Sequence, residues 1–155
     1  MRKRRLLGVL TAAAATLGTC LATAPAAEAA PYWQSVSTNS NWTCSPYKSH
    51  RLSFNIKLKT CIVRNGNNDA QGVLVVQNSG TKAAVIRGVG DGVQHRSGGF
   101  EASYGFSCKE STLNPGFTRG CFGITVSGTS RINLTTTLFM NGHDEANVTQ
   151  DSWYG

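Results

Sequence analysis

His143, Asp144 and Glu145 form the densest run of acid–base side chains in this 155-residue chain, directly after the turn pair Asn141-Gly142. Neighbours on an extended backbone point to opposite sides, so the three cannot converge on one substrate atom. A solvated turn is the expectation. The other histidines, His50 and His95, stand at no metal-ligand interval from each other or from His143, and no H-E-x-x-H occurs. No Gly-x-Ser-x-Gly elbow presents a serine nucleophile. Asp69, Asp91, Glu101, Glu110 and Asp151 fall in or beside expected turns, which gives no support for a glycosidase carboxylate pair. We therefore assign no catalytic residue, no metal ligand and no cofactor, and expect a protein that is not an enzyme.

The cysteines carry more information. Four of the five, Cys44, Cys61, Cys108 and Cys121, lie beyond the first 30 residues. An even number in a small exported chain reads as two disulfides, whereas zinc would need close pairs such as C-x-x-C, which are absent. Four cysteines allow three pairings, and sequence leaves the choice open. Locality favours Cys44–Cys61 with Cys108–Cys121, each closure contributing about 3 kcal/mol.

Export is read from the first residues. "MRKRR" is a cationic head, an Ala/Leu-rich apolar run follows, and "AEA" (Ala27 to Ala29) offers the small residues that a signal peptidase accepts. Residues 1–29 are expected to be a signal peptide, which places the protein outside the cell with no membrane attachment after cleavage. Its loss lowers Lys plus Arg from 15 to 11 and Asp plus Glu from 8 to 7, so the net charge falls from +7 to +4. The remaining basic residues are scattered singly, which argues against nucleic acid as a partner. The sequons at Asn41, Asn133 and Asn147 are given no role.

The elements that must position these residues are strands. In "RLSFNIKLK", Leu52, Phe54, Ile56 and Leu58 alternate with polar residues, as on a half-buried antiparallel strand. "VLVVQN", "AAVIRGV", "FEASYGFSC", "CFGITVSG" and "INLTTTLFM" continue the pattern, separated by Gly/Asn/Pro turns. "GVGDGVQHRSGG" reads as a long Gly-rich loop. Six or seven short strands with no helix signal predict an all-β protein, a single antiparallel β-sandwich stapled by two disulfides. The expected organisation is an extended N-terminal arm over 30–43, the sandwich over 44–142 and a C-terminal segment over 143–155. Over about residues 70–142 the turns in "VLVVQNSG", "LNPG", "CFGITVSG" and "LFMNG" resemble those of immunoglobulin-like accessory domains of secreted bacterial proteins.

Trp33, Trp42 and Trp153 all lie outside the expected strands. Trp42, two residues from Cys44, is expected to pack over a disulfide. Tyr32, Trp33 and Val36 sit in a polar segment that has little else to bury. They either fold back onto the sandwich or form a docking arm that fills a partner's groove, with Tyr and Trp as anchors. With "PYWQSV" and the spacing of Cys44, Cys61, Cys108 and Cys121, the chain resembles the adaptor component of actinobacterial umbrella toxin particles. The resemblance implies that Tyr32, Trp33 and Val36 contact a toxin subunit, while the sandwich loops meet a lectin-bearing subunit. The leading reading is thus a secreted, non-catalytic adaptor. Two alternatives are a carbohydrate or cell-surface binding module, with an aromatic ring stacked on a pyranose, and a protease inhibitor using "GVGDGVQHRSGG" or "KESTLNPG" as its loop.

Overall fold

Two antiparallel sheets face each other in a computed structural model that describes residues 32–153 except 68 and 97, with the backbone alone for 144–153. The expected signal peptide, residues 1–29, lies outside the described residues. The strands are β1 (Trp33–Ser35), β2 (Trp42–Cys44), β3 (Lys48–His50), β4 (Ser53–Arg64), β5 (Ala70–Asn78), β6 (Ala84–Arg96), β7 (Glu101–Leu113), β8 (Thr118–Val126), β9 (Thr129–Met140) and β10 (His143–Trp153). The first sheet runs β1-β8-β5-β4-β2, with β3 also on β4, and the second runs β10-β9-β6-β7. The all-β sandwich read from the alternating pattern is the observed architecture.

Alternation explains the core directly. Ile132, Leu134, Leu138 and Met140 of β9 face inward beside Thr136, opposite Ile56, Leu58 and Ile62 of β4 and Leu74 and Val76 of β5. Each large aliphatic side chain buried this way contributes about 1.5–3 kcal/mol. Strand β5 is buried on both faces because a second, smaller cluster covers the outside of the first sheet. There Cys61, Val73 and Val75 are packed beneath Val36, Trp42, Cys44, Val63 and Phe122.

Both disulfides follow the local pairing. Cys108 of β7 bonds Cys121 of β8, tying one sheet to the other. Cys44 and Cys61 face each other in register on β2 and β4. Trp42 edges onto Phe122 with ring centroids 5.8 Å apart and belongs to the cluster around this second bridge, as expected. The Tyr104 hydroxyl also spans the sheets. It accepts the Gly72 N–H (2.7 Å) and donates to the Ile124 carbonyl (2.8 Å), serving backbone groups beside the bulge between β5 and β8.

Three expectations are corrected. Most of the supposed loop "GVGDGVQHRSGG" belongs to β6, paired on both sides. Gly88 and Gly90 leave no room for a side chain because Leu74 and Phe106 occupy that space, so these glycines permit close packing rather than flexibility. The supposed turn at His143-Asp144-Glu145 opens β10, which pairs with β9 as far as Trp153↔Arg131 and so joins 143–153 to the sandwich. Trp42 and Trp153 therefore lie on strands, and Trp33 opens a strand of the first sheet rather than a separate arm.

Candidate functional site

The aromatic segment divides between three environments. Trp33 pairs with Cys121 across β1 and β8 and is 6% exposed in the main core. Its Nε1–H donates to the Lys109 carbonyl of β7 at 2.8 Å, so one indole links the edge of the first sheet to the edge of the second. Val36 is half-buried against the outer cluster. Only Tyr32, 62% exposed, is presented to solvent. The three do not form one surface. The physical reason is that Trp33 finds its apolar contact and its hydrogen-bond acceptor within its own chain.

The titratable groups are similarly dispersed. His50 is buried, with Nδ1 accepting the Leu52 N–H at 3.2 Å. His95, on the outer face of β6, sits 3.0 Å from Glu101 Oε1 through Nδ1 and 3.1 Å from Asn133 Nδ2 through Nε2. Asp69 is held below the usual carboxylate range by hydrogen bonds from Asn65 and then Ser127. Burial lowers Lys59 and raises Tyr47, and the Lys59 ammonium lies 4.7 Å from the centre of the Tyr47 ring. Among the described residues no three His, Cys, Asp or Glu side chains are grouped closely enough to hold a metal ion.

Exposed aromatic rings mark the two ends of the sandwich instead. At the first end, the connection after β5 is held by Asn78, whose Nδ2 donates to Lys82 O (2.8 Å) and Leu113 O (3.1 Å) while Oδ1 accepts the Gly80 N–H (2.9 Å). An open cleft of about 420 Å³ lies here between Leu52, Asn55, Ile56, Lys82 and Met140. Phe54, 86% exposed, and Phe117 project from the same end; the Phe117 carbonyl accepts the Asn78 N–H at 3.0 Å. Leu52 is exposed as well. The alternation that assigned Leu52 and Phe54 to the core fails because β4 meets β5 only from Ile56↔Asn78 onward.

At the second end, the β6–β7 hairpin presents Phe100, 73% exposed. Gly98 (φ 94°) and Gly99 (φ 81°) take left-handed conformations that form the turn, and the Arg96 N–H bonds to the Phe100 carbonyl at 2.8 Å. A second cleft of about 610 Å³ lies between Arg96, Phe100, Glu101, Ala102, Ser127 and Gly128. Neither Phe100 nor Phe117 stood out in the sequence, yet both share one signal. Each directly follows a turn pair, Gly98-Gly99 or Pro115-Gly116, where a ring has no neighbouring strand to cover it.

Comparison with protein-family models, with curated proteins and with solved structures gave no match in any of the three.

Proposed function

We propose that this chain is a secreted, non-catalytic interaction protein that holds two bodies together, and specifically an adaptor joining a toxin subunit to a lectin-bearing subunit in an umbrella-type particle. One observation carries this reading: exposed rings occupy opposite ends of a rigid sandwich, Phe54 and Phe117 at one and Phe100 at the other. Strand β6, 13 residues long, runs between those ends. Two partners would then stand about 40 Å apart at ~3.3 Å per residue, far enough to be engaged together. Exposed apolar side chains that gather in one place, as Leu52, Phe54 and Phe117 do, mark contact sites. The two disulfides fit an extracellular protein. With Trp33 in the core, the resemblance-based arm retains Tyr32 as its one accessible anchor, and the main contacts move to the sandwich ends.

The test is co-purification of the secreted protein from its native culture, repeated with Phe54→Ser and Phe100→Ser. Each variant should keep the parent's thermal midpoint and lose a different associate. Truncating an aromatic hot spot costs about 2 kcal/mol or more, roughly a thirty-fold loss of affinity. Both variants retaining every associate would overturn the reading.

A further inference from the structure

The two ends differ in what they expose. The first gathers Leu52, Phe54 and Phe117 beside a cleft lined by Ser53, Asn55, Asn78, Thr81, Lys82 and Asn141 among others. The second sets a single ring, Phe100, beside Arg96, Glu101 and Ser127, with Ala102 and Gly128 completing the cleft. We infer that the cleft beside Phe100 binds a neutral oligosaccharide. This rests on the proposed contact surface at that end and names its ligand.

A pyranose has a C–H face and a rim of hydroxyls. Phe100 meets the first requirement. Its ring lies over the hairpin turn, 3.6 Å from the position a side chain at Gly98 would take, and is largely open. A ring not used by the core offers its negative face to C–H groups. Arg96 and Glu101 meet the second requirement. A guanidinium donates in a fork and a carboxylate accepts, the pairing that grips vicinal hydroxyls. One oxygen of Glu101 is engaged by His95, and no bond to the other is found among the described residues. The wall carries one cation and one anion, so its charges cancel and a neutral sugar fits better than a sulfated or uronic one.

The experiment titrates the secreted full chain with cello-, malto-, chito- and manno-tetraose at millimolar concentration, following backbone amide resonances. At least one should shift the amides of Gly98–Ala102 and Gly128–Thr129 while leaving those around Phe54 in place. Phe100→Ala should weaken binding about ten-fold or more, and Phe100→Trp should restore it. Thermal midpoints of both variants should match the parent, since the ring is exposed. No response to any of the four sugars, or shifts confined to other residues, overturns the saccharide. If that happens while Phe100→Ala still loses an associate from culture, the second end is a protein surface and the contact reading stands. If neither occurs, the saccharide and the contact surface at this end both fall, and the reading of two contact ends falls with them. Where sugar and associate both depend on Phe100, periodate oxidation of the associate separates the sources: capture is lost only when the saccharide is carried on it.

Discussion

Trp33→Ala removes the bulkiest side chain that β1 contributes to the sandwich. The indole is 6% exposed, belongs to the main core and gives its N–H to the Lys109 carbonyl. Its Cη2 lies 3.5 Å from the space a side chain at Gly88 would fill, so it packs against the opposite sheet as well. Truncating a buried tryptophan to alanine costs about 3–5 kcal/mol, part of which is the cavity left behind. The orphaned Lys109 carbonyl adds little, because water can enter at a sheet edge. Against a total stability of about 5–15 kcal/mol this is a large fraction, equivalent to a fall in thermal midpoint of about 10–20 °C. Tyr32→Ala is the internal control. That side chain is 62% exposed, and its loss should change stability by less than about 0.5 kcal/mol. Differential scanning calorimetry on the parent and both variants, with disulfides intact, measures the contrast. A Trp33→Ala protein melting within a degree or two of the parent would refute the placement of β1 and return Trp33 to a free arm.

Tyr104 should make stability sensitive to alkali. Burial pushes its hydroxyl up to about 12 from an ordinary value of 10.0, despite the opposing bond from Gly72. A raised folded value means that the contribution is complete below about pH 10 and is lost as pH climbs towards 12, amounting to about 2–3 kcal/mol. Urea midpoints across that range should fall steeply for the parent and more shallowly for Tyr104→Phe; an equal slope in the two would contradict it. Asn78→Ala should cost about 2–4 kcal/mol, since three buried or half-buried backbone groups at Lys82, Leu113 and Gly80 lose their partner. Hydrogen exchange should rise at Gly80–Ala84 more than elsewhere, and uniform exchange with unchanged stability would show that Asn78 does not hold that end.

Much of this fold was legible because strands announce themselves locally. Ile132 to Met140 alternate apolar and polar apart from Thr136 and Phe139, and the turn residues around them have few other uses. Locality also favoured the correct disulfide pairing, since Cys44 and Cys61 flank one excursion of the chain and Cys108 and Cys121 flank another. What stayed hidden depended on partners distant in sequence. Gly88 and Gly90 look like loop residues until Leu74 and Phe106 are seen to occupy the space beside them. Trp33 looks unprovided for until Lys109 and Cys121 are brought beside it. The candidate surfaces were hidden for the converse reason. Phe54 obeys the alternating pattern, and its exposure follows only from where its strand outruns the sheet.

The pairing of β1 with β8 also sets an order of events. Trp33 meets Cys121, and Ser35 meets Arg119. A chain made from its N-terminus has no partner for β1 until residue 121 has been added. Closing so long a loop is entropically costly and is rewarded only once β5 and β8 are already side by side. During synthesis and any passage across a membrane, the indole of Trp33 therefore travels uncovered, attractive to whatever hydrophobic surface meets a nascent chain. The first strand to be made must wait for the eighth, and the Cys121 thiol arrives at the same place as its cover. Oxidation with Cys108 and docking of Trp33 then close one corner of the molecule, where the later-made partner covers the first-made strand.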